Sequence, residues 1–158
     1  MTNDEVNLSF SDTNIKLANA INLTNKMGKL RIGKANELIT TSSYSDTDIG
    51  LIRQTALISV SFSKRFRMDR LPETLTNLDM AVSYLSILLP VDRNSNYNFN
   101  VSMINGGFTY PTNGSVVLMN QSATDLYSRL IKKYSGTVGK GTGSKVQLVG
   151  TYITVGFK

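Results

Sequence analysis

The sequence predicts an α+β fold: a mostly antiparallel sheet of about five to six strands, with two or three helices packed on one side. Three observations predict it. Over residues 56–68 apolar side chains alternate with Ser and Arg, the period of a strand with one face in the core. Over residues 72–89 Leu75, Leu78, Val82, Leu85 and Leu89 recur at spacings of three and four, the period of a helix. Asn105-Gly106 and Asn113-Gly114 are two-residue hairpin signals.

The elements follow in order. Residues 1–11 read as a mobile N-terminal arm and residues 12–158 as a single α+β domain. Ser11 or Asp12 caps a helix expected over 12–27, with Ile15, Ala18 and Ile21 on one face and Gly28 at its end. Residues 29–40 read as a strand, and residues 41–50 (TSSYSDTDIG) as a polar loop. In the strand at 56–68, Ala56, Ile58, Val60, Phe62, Phe66 and Met68 point to the core, and Ser59, Ser61, Ser63, Arg65 and Arg67 to water. Pro72 and Glu73 suit the first turn of the helix at 72–89, which Pro90 closes. Tyr97, Phe99, Val101 and Met103 alternate as a strand, followed by short strands at Phe108–Tyr110 and 115–119. Ser122 and Asp125 form a capping box for a helix at 123–134, with Leu126, Leu130, Ile131 and Tyr134 on its apolar face. The last strand, 145–157, changes register near Val149-Gly150, as a bulge would. The chain reads as free of internal repeats and of long linkers.

Composition narrows the chemistry. The chain has 158 residues, 41% of them hydrophobic, enough for a core without disulfides. It has no run of eighteen apolar residues, and its polar, acidic start is unlike a secretory signal. It contains no Cys, His or Trp, which removes thiolate nucleophiles, the commonest general base and the commonest transition-metal ligands. Net charge is +6 and uneven: six of eleven acids lie in the first 48 residues, while from Leu126 onward there are six basic residues and no acid. Such asymmetry suits an anionic partner.

No motif carries catalysis. GTVGKGTGS at 136–144 has the glycines of a phosphate loop but follows an expected helix and enters a strand, and Lys140 precedes Gly141 rather than Ser or Thr. Asp46 and Asp48 are close, yet no third acid stands at calcium-loop spacing. No Ser sits in a G-x-S-x-G elbow. No catalytic residue, metal site or cofactor is therefore expected. Two basic clusters are the candidate anion-binding sites. Lys64, Arg65, Arg67 and Arg70 run off a strand into a turn, and Arg129, Lys132 and Lys133 join Lys140 and Lys145 further on. Each reads either as a docking rim for phosphate groups of lipid or RNA, or as an ordinary solvated face.

The stretch SVSFSKRFRMDRLPETLTNLDMAVSYL (59–85) resembles the core opening of rhabdovirus matrix proteins. There a basic strand runs into an Arg/Pro turn, then a Thr, an Asp and an Ala-Val pair in an amphipathic helix. The matching positions here are Arg70, Pro72, Thr74 or Thr76, Asp79 and Ala81-Val82. The chain lacks that family's Lys-rich arm and proline-rich budding motif. The resemblance implies a non-enzymatic viral structural protein that self-associates and bridges nucleocapsid and anionic membrane, in the virion and on host cytoplasmic membranes. Residues 122–158 resemble the helix-then-strand ending of some plant-virus coats, which implies an RNA-packaging capsid protein instead. Either way the expected partners are further copies of the chain and a membrane surface, nucleocapsid or RNA, with no small-molecule substrate.

Overall fold

The computed structural model describes residues 4–127 and 129–158. Among these there are nine strands and no helix. They are β1 (Asp4–Ser9), β2 (Thr13–Ser61), β3 (Arg65–Arg70), β4 (Asn77–Leu89), β5 (Tyr97–Ile104), β6 (Gly107–Thr109), β7 (Val116–Leu126), β8 (Arg129–Val138) and β9 (Ser144–Phe157).

The 49 residues of β2 decide the architecture. Drawn straight, at about 3.3 Å per residue, they would span roughly 160 Å. Instead β2 winds back over itself. The Lys29 N–H donates to Asp12 Oδ1 and the Asn36 amide to Asn19 Oδ1, each pair 17 residues apart. A Cβ on Gly33 would meet the Lys16 carbonyl oxygen at 2.6 Å, and one on Gly50 would meet the carbonyl of Gly33. Parallel pairing of β1 with β2 keeps that offset, with Asp4 beside Ile21. The chain is therefore a β-solenoid whose early coils are 17 residues long. Each coil stacks on the last in parallel, so no separate crossover helix is required.

Each coil turns one corner at a residue in the left-handed region. Phe10, Met27, Tyr44, Phe62, Tyr84 and Tyr152 occupy it in successive coils, with φ between 52° and 63°. Before the corner one parity of the alternation points inward, and after it the other parity does. In β4, Leu78, Met80 and Val82 are buried, then Leu85, Ile87 and Leu89. The core is built as columns running through the coils, such as Ile32, Ile49 and Met68.

The predicted α+β class is thus corrected to all-β, and all three expected helices are strands. Residues 12–27 lie almost wholly in the first coil of β2. Residues 72–89 are a turn followed by β4. Its parity switch at Tyr84 leaves buried residues 78, 82, 85 and 89 at spacings of four, three and four, a helical period produced by a bent strand. The helix expected at 123–134 is the end of β7 and most of β8, which pair antiparallel from Leu126 and Arg129 outward. The polar stretch 41–50 is a coil, not a loop: Ser42, Ser45 and Thr47 are buried inside it. Asn105-Gly106 is a solenoid corner rather than a hairpin, since the β6 that follows pairs in parallel with β9. The register change expected near Val149-Gly150 falls at the Tyr152 corner. Of the expected arm, Asp4–Ser9 form β1, and residues 1–3 lie outside the described residues.

The strand order is β1-β2-β3-β4-β9-β5-β8-β7, so the last strand in sequence lies between two earlier ones. β9 pairs in parallel with both β4 and β5. Among the described residues antiparallel pairing is confined to β5–β8 and β7–β8. Three connections leave the coil on one side: residues 71–76, residues 90–96, and the turn around Gly139–Gly141.

Candidate anion-binding groove

Those three connections line one open groove of about 830 Å³. Arg70 enters it from the end of β3, Arg93 from the β4–β5 connection and Lys140 from the β8–β9 turn. Local turn chemistry holds the frame. Asp92 Oδ1 accepts the Asn94 N–H at 2.8 Å and the Ser95 hydroxyl at 3.2 Å, and the Ser95 hydroxyl accepts the Asp92 N–H at 2.9 Å. Asn96 ties two connections together: its amide donates to Glu73 Oε1 at 3.1 Å and to Thr142 Oγ1 at 2.9 Å, and its Oδ1 accepts the Thr142 N–H at 2.9 Å. Gly139 and Gly141 adopt φ values of 63° and 67°, which lets the turn carrying Lys140 close without a Cβ penalty. Beneath the frame Tyr97 is fully buried, and its hydroxyl donates to the Pro90 carbonyl at 2.8 Å. Burial, with a smaller contribution from the Asp92 carboxylate, pushes the Tyr97 phenol far above its ordinary value.

The two acids of the groove, Glu73 and Asp92, are thus engaged by neutral donors. Among the described residues, Arg70, Arg93 and Lys140 form no ion pair. The groove therefore offers three cations to a ligand against two acids already hydrogen-bonded. Among the described residues no three carboxylates converge where a metal ion could sit.

The sequence-predicted basic residues are distributed unevenly. Arg70 and Lys140, assigned to different clusters, meet in the groove. Arg65 does not join them; its guanidinium donates to both Asp48 oxygens at 3.2 Å, and Asp48 also faces Arg31 at 3.9 Å. Arg67 pairs with Asp69 at 3.0 Å. These five lie on one outer face, where coil stacking alternates the sign of charge down a column. Lys64 sits just past the Phe62 corner near Asp46, Lys29 and Asp12, in a second alternating column. Lys132 Nζ donates to the Gly106 carbonyl at 2.9 Å. Arg129 stands at the outer start of β8, while Lys133 and Lys145 are exposed on the outer sheet face.

Comparison with protein-family models, with curated proteins and with solved structures gives no match. The groove thus stands on its own geometry. Arg93 was missed in the sequence because it is a lone cation between polar residues. The available signal was its setting, PVDRNSN at 90–96, a rigid turn rather than a solvated tail.

Proposed function

We propose that the protein is a non-enzymatic docking protein that holds a phosphate-bearing chain in the groove formed by Arg70, Arg93 and Lys140. The observation that supports this is the meeting of three cations, from the end of β3, the β4–β5 connection and the β8–β9 turn, around one concavity. Single surface charges contribute little, but three cations gathered against two acids leave the groove with a net positive potential that favours an anion. A groove suits a strand better than a membrane plane, which needs a broad convex or flat basic face. No Phe, Tyr or Trp lines it, so the contacts fall on phosphates and not on stacked bases. Binding is accordingly sequence-independent and salt-sensitive. As a structural component of an assembly, matrix-like or coat-like, the chain would work by holding its partner without making or breaking bonds.

The test is fluorescence anisotropy with a labelled single-stranded oligouridylate across a salt series. Three phosphate contacts give a slope of roughly −2 in log K against log salt. The double substitution Arg93→Gln and Lys140→Gln should weaken binding at least about tenfold and flatten that slope. Arg67→Gln, which removes a cation already paired with Asp69, should change little. No binding at low salt, or an equal loss with Arg67→Gln, rules the reading out. Binding to anionic liposomes but not to RNA transfers it to a membrane surface.

A further inference from the structure

A second concavity of about 580 Å³ lies on the outer face of the β9-β5-β8-β7 region, away from the residues of the charged groove. Strand register sets its floor. One transverse row reads Gln147, Asn100, Ser135 and Asn120. The next reads Val149, Ser102, Lys133 and Ser122. Neighbouring side chains in a row are about 4.8 Å apart, so the four strands span about 14 Å. The register irregularity in β7 between Leu118 and Asn120 bends the outermost strand just where its residues join the trough.

The chemistry of these rows is narrow. Six of the eight side chains are amides or hydroxyls, one is Val and one is Lys. None of the six makes a side-chain hydrogen bond to another described residue. One lysine is too few for a phosphate chain, which needs a run of cations. An extended peptide pairing with the open edge of β7 would lie beside the trough and not in it, because the floor strands β9, β5 and β8 are each paired on both sides. What remains is a lattice of neutral donors and acceptors spaced at the scale of a sugar ring, with Val149 offering an apolar patch. An amide carries two donors and an acceptor, the set that adjacent ring hydroxyls satisfy.

We infer that this trough binds a neutral, polyhydroxylated chain, an oligosaccharide, through Asn100, Gln147, Ser135 and Asn120. The Tyr134 ring is stacked on Phe108 at 4.1 Å, so recognition rests on hydrogen bonds rather than on a free aromatic face, and affinity is modest. The site is independent of the charged groove.

The experiment uses the full chain with a panel of neutral hexasaccharides (gluco-, galacto-, manno- and N-acetylglucosamine series), immobilised and then titrated calorimetrically. At least one should bind in the micromolar to millimolar range. The double substitution Asn100→Ala and Gln147→Ala should weaken that binding at least about tenfold, as expected for two lost hydrogen bonds. These side chains are on the outer face, so the thermal midpoint should hold, which excludes misfolding as the cause. Arg93→Gln with Lys140→Gln should leave saccharide binding unchanged. Three results overturn the inference: no panel member bound at millimolar concentration, binding indifferent to Asn100→Ala with Gln147→Ala, or retention of only anionic glycans and its loss with Arg93→Gln and Lys140→Gln.

Discussion

Tyr44, Phe62, Tyr84 and Tyr152 stack face to face along the solenoid corner, with ring centroids 4.8 to 5.1 Å apart and planes within 17° of parallel. Their spacing is that of the strands beneath them. These rings are 48–61% exposed, yet the ladder's interior rings show solvent only their edges, because each face is covered by the next ring. The ladder therefore offsets a backbone cost: the left-handed conformation costs an L-residue about 1–2 kcal/mol. Phe62 tests this, since it has a ring on either side. Phe62→Ala should destabilise by about 2 kcal/mol, losing two stacked contacts and keeping the strained φ of 52°. Phe62→Gly loses the same ring but relaxes the backbone, so it should be more stable than Phe62→Ala by about 1 kcal/mol in urea denaturation. The reverse order would show that the corner is not strained. Tyr97 carries a pH signature. Its phenol stays neutral in the folded chain, whereas an ordinary Tyr ionises near pH 10 in the unfolded one. The stability it contributes is whole below about pH 10 and falls as pH rises above it, at up to about 1.4 kcal/mol per pH unit. Above pH 10 the urea midpoint of the wild type should fall more steeply than that of Tyr97→Phe; parallel curves would count against the assignment. Tyr97→Phe should itself cost about 1 kcal/mol at neutral pH through the lost bond to Pro90.

At the scale of the element, the coil is the unit and not the strand. SDTNI at 11–15 and SDTDI at 45–49 are the same part of the coil two turns apart, and RIG at 31–33 and DIG at 48–50 are one turn apart. This repeat was legible in the sequence. It was obscured because insertions interrupt it: the offset between stacked residues is 17 at Asp4–Ile21, 19 at Thr47–Phe66 and 22 at Thr55–Asn77. Period-two alternation marks burial where it runs unbroken, at 56–60 and 97–103. Across a corner it fails: Phe62, expected in the core, is exposed, Ser63, expected in water, is buried, and in β4 the change of phase gives a helical period. A one-coil deletion tests the unit. Removing residues 28–44 joins Met27 to Ser45 and restores the corner-then-Ser order seen at Phe10-Ser11 and Tyr44-Ser45. The shortened chain should keep its β circular dichroism and a cooperative melt, with a midpoint lower by about 5–10 °C. Removing residues 28–36 instead puts core side chains on the outer face and should leave the chain unfolded. Equal behaviour of the two deletions would refute the coil as the repeating unit.

For the whole molecule, β9 is the closing piece. It lies between β4 and β5, and its partners stand 68 and 47 residues away in sequence, at Asn77–Lys145 and Tyr97–Ser144. Until it arrives neither neighbour has its inner partner, so removal of residues 144–158 should abolish cooperative unfolding and leave ANS-binding, protease-sensitive protein. A truncated chain that still melts cooperatively would show that β1–β4 fold without it. The same long-range closure builds both candidate sites: it brings the Lys140 turn to Arg70 and Arg93, and it supplies Gln147 and Val149 to the outer trough. By itself the sequence determined the strand alternation, the basic excess, the absence of His and Cys chemistry, and Arg70 and Lys140 as members of basic clusters. Only the tertiary structure decided that the chain coils, that Arg65 and Arg67 are neutralised by Asp48 and Asp69, and that Arg93 completes a groove. The physical reason is that alternation records which side of a strand is buried, which is local, whereas parallel stacking joins residues separated by a full coil or more. Which cation meets which acid is set by that stacking register, and insertions of a few residues shift it without marking the shift in the local pattern.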